Sequence, residues 1–532
     1  MRCLLNQSGY GMHFSVLAYF TLEYIVFVRS YYSVLHMKYR FLPLLLIITS
    51  SLQAVELPAI FSDHMVLQRE QSNPVWGKGE PGESVSVCIG GQKQETTVGV
   101  DGRWMVRLEA LPVGGPYELE VVGNNTLRLT DVMVGEVWVC SGQSNMQWSI
   151  NLSEDADLEM ASANAPSIRI VSIPNKGSQE PLDDFNAAWS VCSPISINGF
   201  SAVGYHFGRR LHQVLGVPIG LINNAWGGSA AEAWVPRKVL ERYDRYDAYL
   251  EASDAKAAAH TDAVQARNEA RFKAWQDGGR KGQRPPWPND PRYGQHRPAN
   301  LYNGVLNPIL GYGIRGVIWY QGETNSGRPK DYAHLFPLLI ETWRKDWGQG
   351  EFPFYWAQLA DFHNESSSPQ DSTWARLRDA QTSTLSVANT GQAVIIDAGE
   401  GRDIHPRDKK VVADRLCRHA LNKIYGIEVA CESPRFSSME VDDGVALLTF
   451  DHVSKQGLYA FDVPEVSGFA LAGEDKQFKW AQAKIVGSRK VAVSHPEIAN
   501  PVAVRYGWGD NPVVNLYDRN GLPMTPFRTD SW

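Results

Sequence analysis

Val137-Trp138-Val139-Cys140-Ser141-Gly142-Gln143-Ser144-Asn145-Met146 is an apolar run that stops at a serine set among small and amide residues. Val137 to Cys140 reads as a buried strand, and the Ser-Gly-Gln-Ser-Asn that follows is turn chemistry leading into polar sequence, which places Ser144 at a strand-to-helix turn. A serine at such a turn holds its hydroxyl out at the top of a sheet. Its own backbone N–H can then face the oxygen of an attacked carbonyl. Taken alone, the same residues also suit a polar loop after a core strand.

A distant segment favours the nucleophile. Gly401-Arg402-Asp403-Ile404-His405-Pro406 follows the apolar Ala393-Val394-Ile395-Ile396 and offers a histidine with a carboxylate two positions before it. Serine is a poor nucleophile until an imidazole takes its proton, and the imidazole works best when a carboxylate or carbonyl fixes its tautomer. His405 is one of 13 histidines, so its pairing with Asp403 matters more than the histidine itself.

An α/β-hydrolase elbow is written Gly-x-Ser-x-Gly, with its acid well ahead of the histidine. Here Met146 stands where the second glycine belongs, and the carboxylate adjoins the histidine. The pattern resembles the SGNH (GDSL-like) hydrolases, and Gly142-Gln143-Ser144-Asn145-Met146 looks like the sialate O-acetylesterase branch of that superfamily. Two further blocks of the branch are present in order. Asn223-Asn224-Ala225-Trp226-Gly227-Gly228-Ser229 follows the apolar Val217 to Ile222, and Val317-Ile318-Trp319-Tyr320-Gln321-Gly322-Glu323-Thr324-Asn325 is the other.

The resemblance spans roughly Val55 to Trp532. It implies a three-layer α/β/α domain with a parallel sheet, Ser144 as nucleophile, His405 as base and Asp403 as its acid. It also implies an oxyanion hole made by Ser144 N–H, Gly228 N–H and the Gln321 amide, with Gln143, Asn145, Gly227, Glu323 and Asn325 around the substrate or behind these groups. Losing one such donor typically costs about 3–4 kcal/mol of barrier. One position departs from the superfamily. Many members place the acid three residues before the histidine, which here is Arg402. Asp397, Glu323 and Asp408 are therefore alternative acids, and a backbone carbonyl orienting His405 would leave a Ser-His dyad.

Residues 1–54 read as a leader. Met37-Lys38-Tyr39-Arg40 is a basic start, Phe41 to Thr49 an apolar centre, and Ala54 a small residue before a cleavage point at Val55. That makes 37–54 a signal peptide, with 1–36 upstream of the true start and a secreted or periplasmic mature protein. Phe14 to Val28 is interrupted by Glu23 and is short for a membrane span, so no stable insertion is expected after cleavage.

A chain of 532 residues is too long for one core. Its net charge of -7 is small and mixed along the sequence, which argues against a nucleic-acid partner. Of six cysteines none forms a Cys-x-x-Cys pair, and with no His-Glu-x-x-His there is no motif for a metal, nor any for a cofactor. A bond between Cys417 and Cys431 is permitted in an oxidising compartment, and Cys140 reads as a core residue. The 17 Trp and 21 Tyr suit a carbohydrate enzyme but also fill β-rich cores.

The period of two in Val85, Val87 and Ile89 and in Trp104, Val106 and Leu108, with Asp101-Gly102 as a hairpin turn, predicts a β accessory domain over 55–131. Strands alternating with helices predict the catalytic domain over 132–430, with a helical and loop insertion at 238–298 that either overhangs the site or forms a solvated surface hairpin. Residues 431–532 return to period two and predict a second β region. The expected substrate is an acetylated carbohydrate, most directly O-acetylated sialic acid. Acetylxylan or another glycan ester would use the same machinery. A glycosidase using Glu323 with Asp403, or an inactive sugar-binding protein, are the rival readings.

Overall fold

The computed structural model describes residues 54–532. The leader reading, signal peptide included, lies outside these residues except for Ala54.

Six parallel strands form the central sheet, in the order Thr390–Ala393, Phe354–Ala357, Gly316–Tyr320, Thr126–Gly142, Ile219–Asn223 and Ala165–Ser172, with Ser190–Cys192 antiparallel at one edge. The chain lays down the central strand first, crosses to Ala165–Ser172, fills the gap with Ile219–Asn223 and then builds outward on the other side, so the connections part in opposite directions beside Gly142. Doubly wound sheets bind their ligands in the crevice at such a switch point, outside the carboxyl ends of the strands.

Period-two alternation explains the layers. Val137 and Val139 point into the cluster that holds Phe336, Leu339 and Trp343 of helix Pro329–Trp347. Trp138 and Cys140 point the other way, among Phe207 and Leu416 of the paired helices Ala202–Leu215 and Lys409–Lys423. Both faces of the strand are buried, which is why its sequence is continuously apolar. Trp138, Trp319, Trp343 and Trp356 are completely enclosed, and full burial of a large apolar side chain contributes roughly 1.5–3 kcal/mol.

The amino-terminal β region consists of Ser84–Ile89, Gln92–Thr97 and Gly114–Val122 in one sheet and the pair Asn73–Lys78 and Arg103–Leu108 in another. Val85, Val87, Ile89, Trp104, Val106 and Leu108 are its buried faces, as the alternation predicts. Asp101-Gly102 does turn the chain, with Gly102 at φ 74°. It is nevertheless not a hairpin, because the strand before it pairs with Ser84–Ile89 and the strand after it with Asn73–Lys78. The turn hands the chain from one sheet to the other. The division at 131/132 falls inside a single strand, since Thr126–Gly142 pairs with Gly114–Val122 at its start and with the catalytic sheet at its end.

After helix Lys409–Lys423 the chain forms two four-stranded antiparallel sheets, Arg435–Asp442 with Val445–Asp451, Lys490–Ser494 and Gln482–Gly487, and Phe478–Trp480 with Phe469–Ala472, Ala503–Tyr506 and Phe527–Arg528, and a two-stranded one, Leu458–Ala460 with Leu516–Asp518. They close on a core of Leu448, Phe450, Leu471, Val491, Val504 and Tyr506. The Cys417–Cys431 bond is not formed. Cys417 is sealed in the catalytic core, whereas Cys431 is half-buried beyond the helix beside His419 and Glu432. Cys140 is fully buried. Among the described residues no helix is long and apolar enough to cross a membrane.

Candidate active site

The central strand ends at Gly142, whose φ is 133°, and a Cβ there would lie 2.2 Å from Tyr320 O. Only glycine fits so close a crossing. Gln143 N–H donates to that same carbonyl at 2.9 Å, and the short helix Ser144–Gln147 starts at once. Ser144 therefore stands at the first helical position, where a backbone N–H has no intrahelical acceptor. From the other side of the sheet the loop 398–405 delivers His405. Its Nε2 is 2.9 Å from Ser144 Oγ, across 261 residues of sequence. Trp148, one turn beyond Ser144, stacks flat on the imidazole with centroids 4.7 Å apart and planes 14° apart.

Asp403 holds His405 loosely. Its Oδ1 is 3.5 Å from Nδ1 and accepts the backbone N–H of His405 at 2.9 Å, and half of its side chain faces solvent. The alternative acids are occupied elsewhere. Asp397 pairs with Arg415 through both oxygens and accepts Tyr517 OH. Asp408 caps helix Lys409–Lys423 through Val411 N–H. Glu323 is buried, its carboxyl pushed upward by burial, and accepts Asn145 Nδ2–H at 2.6 Å. That enclosure also removes Glu323 from the two-carboxylate arrangement of a glycosidase.

Asn145 joins four elements. Its second Nδ2–H donates to Ile404 O at 3.0 Å, and its Oδ1 accepts from Lys409 Nζ at 2.5 Å. The amide thus ties the nucleophile's turn to the histidine's loop, to the end of strand Gly316–Tyr320 and to helix Lys409–Lys423. Lys409 is 1% exposed. Its ammonium lies over the rings of Trp148 and Tyr320 at 5.7 and 5.6 Å, and burial pushes its pKa down to about 7. Burial also holds His405 below its ordinary value, with the Lys409 charge adding to the effect and Asp403 opposing it.

The glycine block folds over the strand end. Trp226 N–H donates to Gly142 O at 3.0 Å, and a Cβ on Gly227 would sit 3.4 Å from Ser144 Cβ. Gly227 N–H is taken by Gln147 Oε1 at 2.7 Å. Gly228, at φ 70°, has no acceptor for its N–H among the described residues. Gln321 departs from its expected place. Its side chain is fully buried, and its amide donates both hydrogens inward, to Ser229 O at 3.1 Å and Asn325 Oδ1 at 2.8 Å. It supports the glycine block from behind and has no hydrogen left for an oxyanion. Asn325 is likewise internal, bonded to Glu232 and Ala231 N–H.

The amide with a free donor beside Ser144 is Gln143. Its Oε1 accepts Gly322 N–H and Thr324 N–H, both at 3.3 Å, which fixes the amide's orientation and leaves Nε2 without a protein acceptor among the described residues. The sequence signal for it was an amide immediately before the nucleophile. Trp148 and Lys409 carry no comparable signal, since an aromatic one turn on and a lysine at a helix start are ordinary core and surface choices. The insertion does reach the site: Gln295 O accepts Ala230 N–H at 3.1 Å, and Gln295 Nε2 would lie 3.5 Å from a Cβ on Gly228.

Known proteins resemble this chain over most of its length. A family described as "Carbohydrate esterase, sialic acid-specific acetylesterase" matches residues 134–266 and 291–408, which take in every residue of the constellation except Lys409. The sialate O-acetylesterase of Mus musculus is 32% identical over 87% of this chain and 92% of its own length. That of Homo sapiens is 31% identical over 88% and 91%. The crystal structure of a carbohydrate acetylesterase from Xanthomonas citri superposes with a TM-score of 0.77 at 36% identity, covering 90% of this chain and all of that one. Similarity along nearly the full length of these relatives, at 31–36% identity, places this chain in the sialate O-acetylesterase family of carboxylic ester hydrolases.

Proposed function

We propose that this protein is an exported serine esterase that removes O-acetyl groups from sugars, with sialic acid as the acetylated residue. The 2.9 Å contact between Ser144 Oγ and His405 Nε2 carries the reading, and the names of the mouse and human relatives support the choice of sugar. Ser144 Oγ attacks the ester carbonyl carbon as its proton passes to His405 Nε2. The oxyanion takes hydrogen bonds from Ser144 N–H, Gly228 N–H and Gln143 Nε2. Collapse breaks the bond to the sugar oxygen, which leaves with the proton from His405. Water, deprotonated by the same imidazole, then attacks the acetyl-serine and releases acetate. The groups present suffice, so the steps call for no cofactor.

Acetate release from O-acetylated sialic acid tests the reading. Ser144→Ala should lower turnover by about 10⁴-fold or more while leaving the circular dichroism spectrum unchanged. Retention of more than a few per cent of wild-type turnover in esterase-free preparations would overturn it. Export is checked separately, since amino-terminal sequencing of secreted protein should begin at Val55.

A further inference from the structure

The proposed chemistry leaves unused a recess lined in part by the segment that follows strand Phe354–Ala357. It is a cleft of about 380 Å³ between the loop 364–370 and the carboxy-terminal sandwich, large enough for a small-molecule ligand. Phe469, Trp480 and Trp508 line it with aromatic surface, and Asn364, Gln370 and Asn511 with amides.

This cleft is built onto the histidine's loop. Asn511 Nδ2 donates to His363 O at 2.9 Å, and Phe362 N–H donates to Asp510 O at 3.1 Å. Gly401, four residues before His405, packs between them, so that a Cβ there would sit 2.6 Å from Asn511 Nδ2 and 2.9 Å from His363 O. The loops 358–370 and 394–405 leave the carboxyl ends of the adjacent strands Phe354–Ala357 and Thr390–Ala393, the edge at which such sheets hold ligands.

The lining also defines the ligand. Trp480 is 40% exposed, and its indole N–H is fixed by Ser367 O at 3.0 Å, so the ring is an immobilised plate facing solvent. A flat aromatic face stacks on the C–H surface of a pyranose, and amides offer adjacent donors and acceptors to its hydroxyls. No cationic side chain lines the cleft, and its one charged group is Asp510. Phosphate, sulfate or the carboxylate of sialic acid itself would meet no counter-charge there. Neutral sugars meet what they need.

We propose that this cleft is a glycan-extension subsite, which binds the neutral sugar units attached to the acetylated residue, so that the preferred substrate is an O-acetylated oligosaccharide and not the free acetylated sugar. The inference rests on the sugar-esterase reading of Ser144. Its test compares kcat/KM of the full chain for free O-acetylated sialic acid, for O-acetylated sialyllactose and for p-nitrophenyl acetate, with acetylated xylose and xylotriose as a second pair. The oligosaccharide of a pair should be favoured by about tenfold, the value of one good stacking contact. Trp480→Ala should erase that preference while leaving p-nitrophenyl acetate and the free sugar unchanged, and Trp480→Phe should restore most of it. Equal turnover of both members of each pair in the wild type, or a preference untouched by Trp480→Ala, would overturn the subsite and leave the esterase reading intact. A Trp480→Ala protein that loses all activities alike would overturn it too, marking the residue as structural. Turnover of p-nitrophenyl acetate with none of the sugars would remove the sugar-esterase reading and the subsite together.

Discussion

Two charged side chains of opposite sign, Lys409 and Asp403, bear on His405, and they can be separated by pH. The base must be neutral to take the serine proton, so the acid limb of kcat/KM marks its pKa, and burial and Lys409 place that limb below the ordinary 6.5. Lys409→Met removes a neighbouring positive charge and should move the limb to higher pH. Asp403→Asn removes the charge that stabilises imidazolium and should move it lower. Profiles on p-nitrophenyl acetate from pH 4 to 8 would show both shifts, and limbs that stay in place would mean neither charge is felt. Because Asp403 is half-exposed and 3.5 Å from Nδ1, its loss should cost about tenfold in kcat, far short of the roughly 10⁴-fold seen when a buried triad acid is replaced. Ser144→Ala and His405→Ala together should lower activity little more than either alone, since they act as one unit. Ser144 and His405 were legible in the sequence because turn chemistry and an adjacent carboxylate mark them. Asn145 and Glu323 were marked by the resemblance, but their links to Ile404 and Lys409 were not, because these groups meet only through folding, and nothing local distinguishes a buried lysine from a solvated one.

At the level of the strand-to-helix turn, the proposed mechanism exchanges the roles that the positions of two glutamines suggest. Gln143→Ala should lower kcat by roughly 10²–10³ with little change in KM, because a donor aimed at the developing oxyanion acts on the transition state. Gln321→Ala leaves Ser229 O unpaired in the interior, while Asn325 Oδ1 keeps Ala231 N–H, so it should depress Tm as well as kcat, an unpaired buried acceptor costing about 1–3 kcal/mol. A normal Tm with a large kcat loss would instead return Gln321 to the oxyanion. Apolar runs predicted the strands, and block order predicted which loops meet, because both depend on residues near in sequence. The direction of a side-chain amide depends on partners up to 181 residues away, and so does the fate of the Asp101-Gly102 turn, whose flanking strands are claimed by different sheets.

For the molecule as a whole, one buried cation bridges the catalytic domain and the carboxy-terminal sandwich. Arg378 makes no ion pair among the described residues, although the Asp361 and Asp510 carboxylates lie close enough to favour its charge. Its guanidinium donates to Leu359 O and Ala360 O of the catalytic domain and to Gly509 O and Asp510 O of the sandwich loop, at 2.7–2.9 Å, and burial lowers its pKa to about 9. Arg378→Met should destabilise the fold by about 3 kcal/mol or more, since several charge-assisted bonds are lost and their carbonyls left enclosed. Chemical denaturation would measure this, and a change below 1 kcal/mol would show that the loop finds other partners. The amino-terminal region is attached by different means, through the 17 unbroken residues of Thr126–Gly142. A module joined by a linker can be deleted, swapped or moved in evolution as a cassette. Here the cut would run through the strand that carries the nucleophile, so accessory region and catalytic sheet must be inherited, expressed and unfolded together.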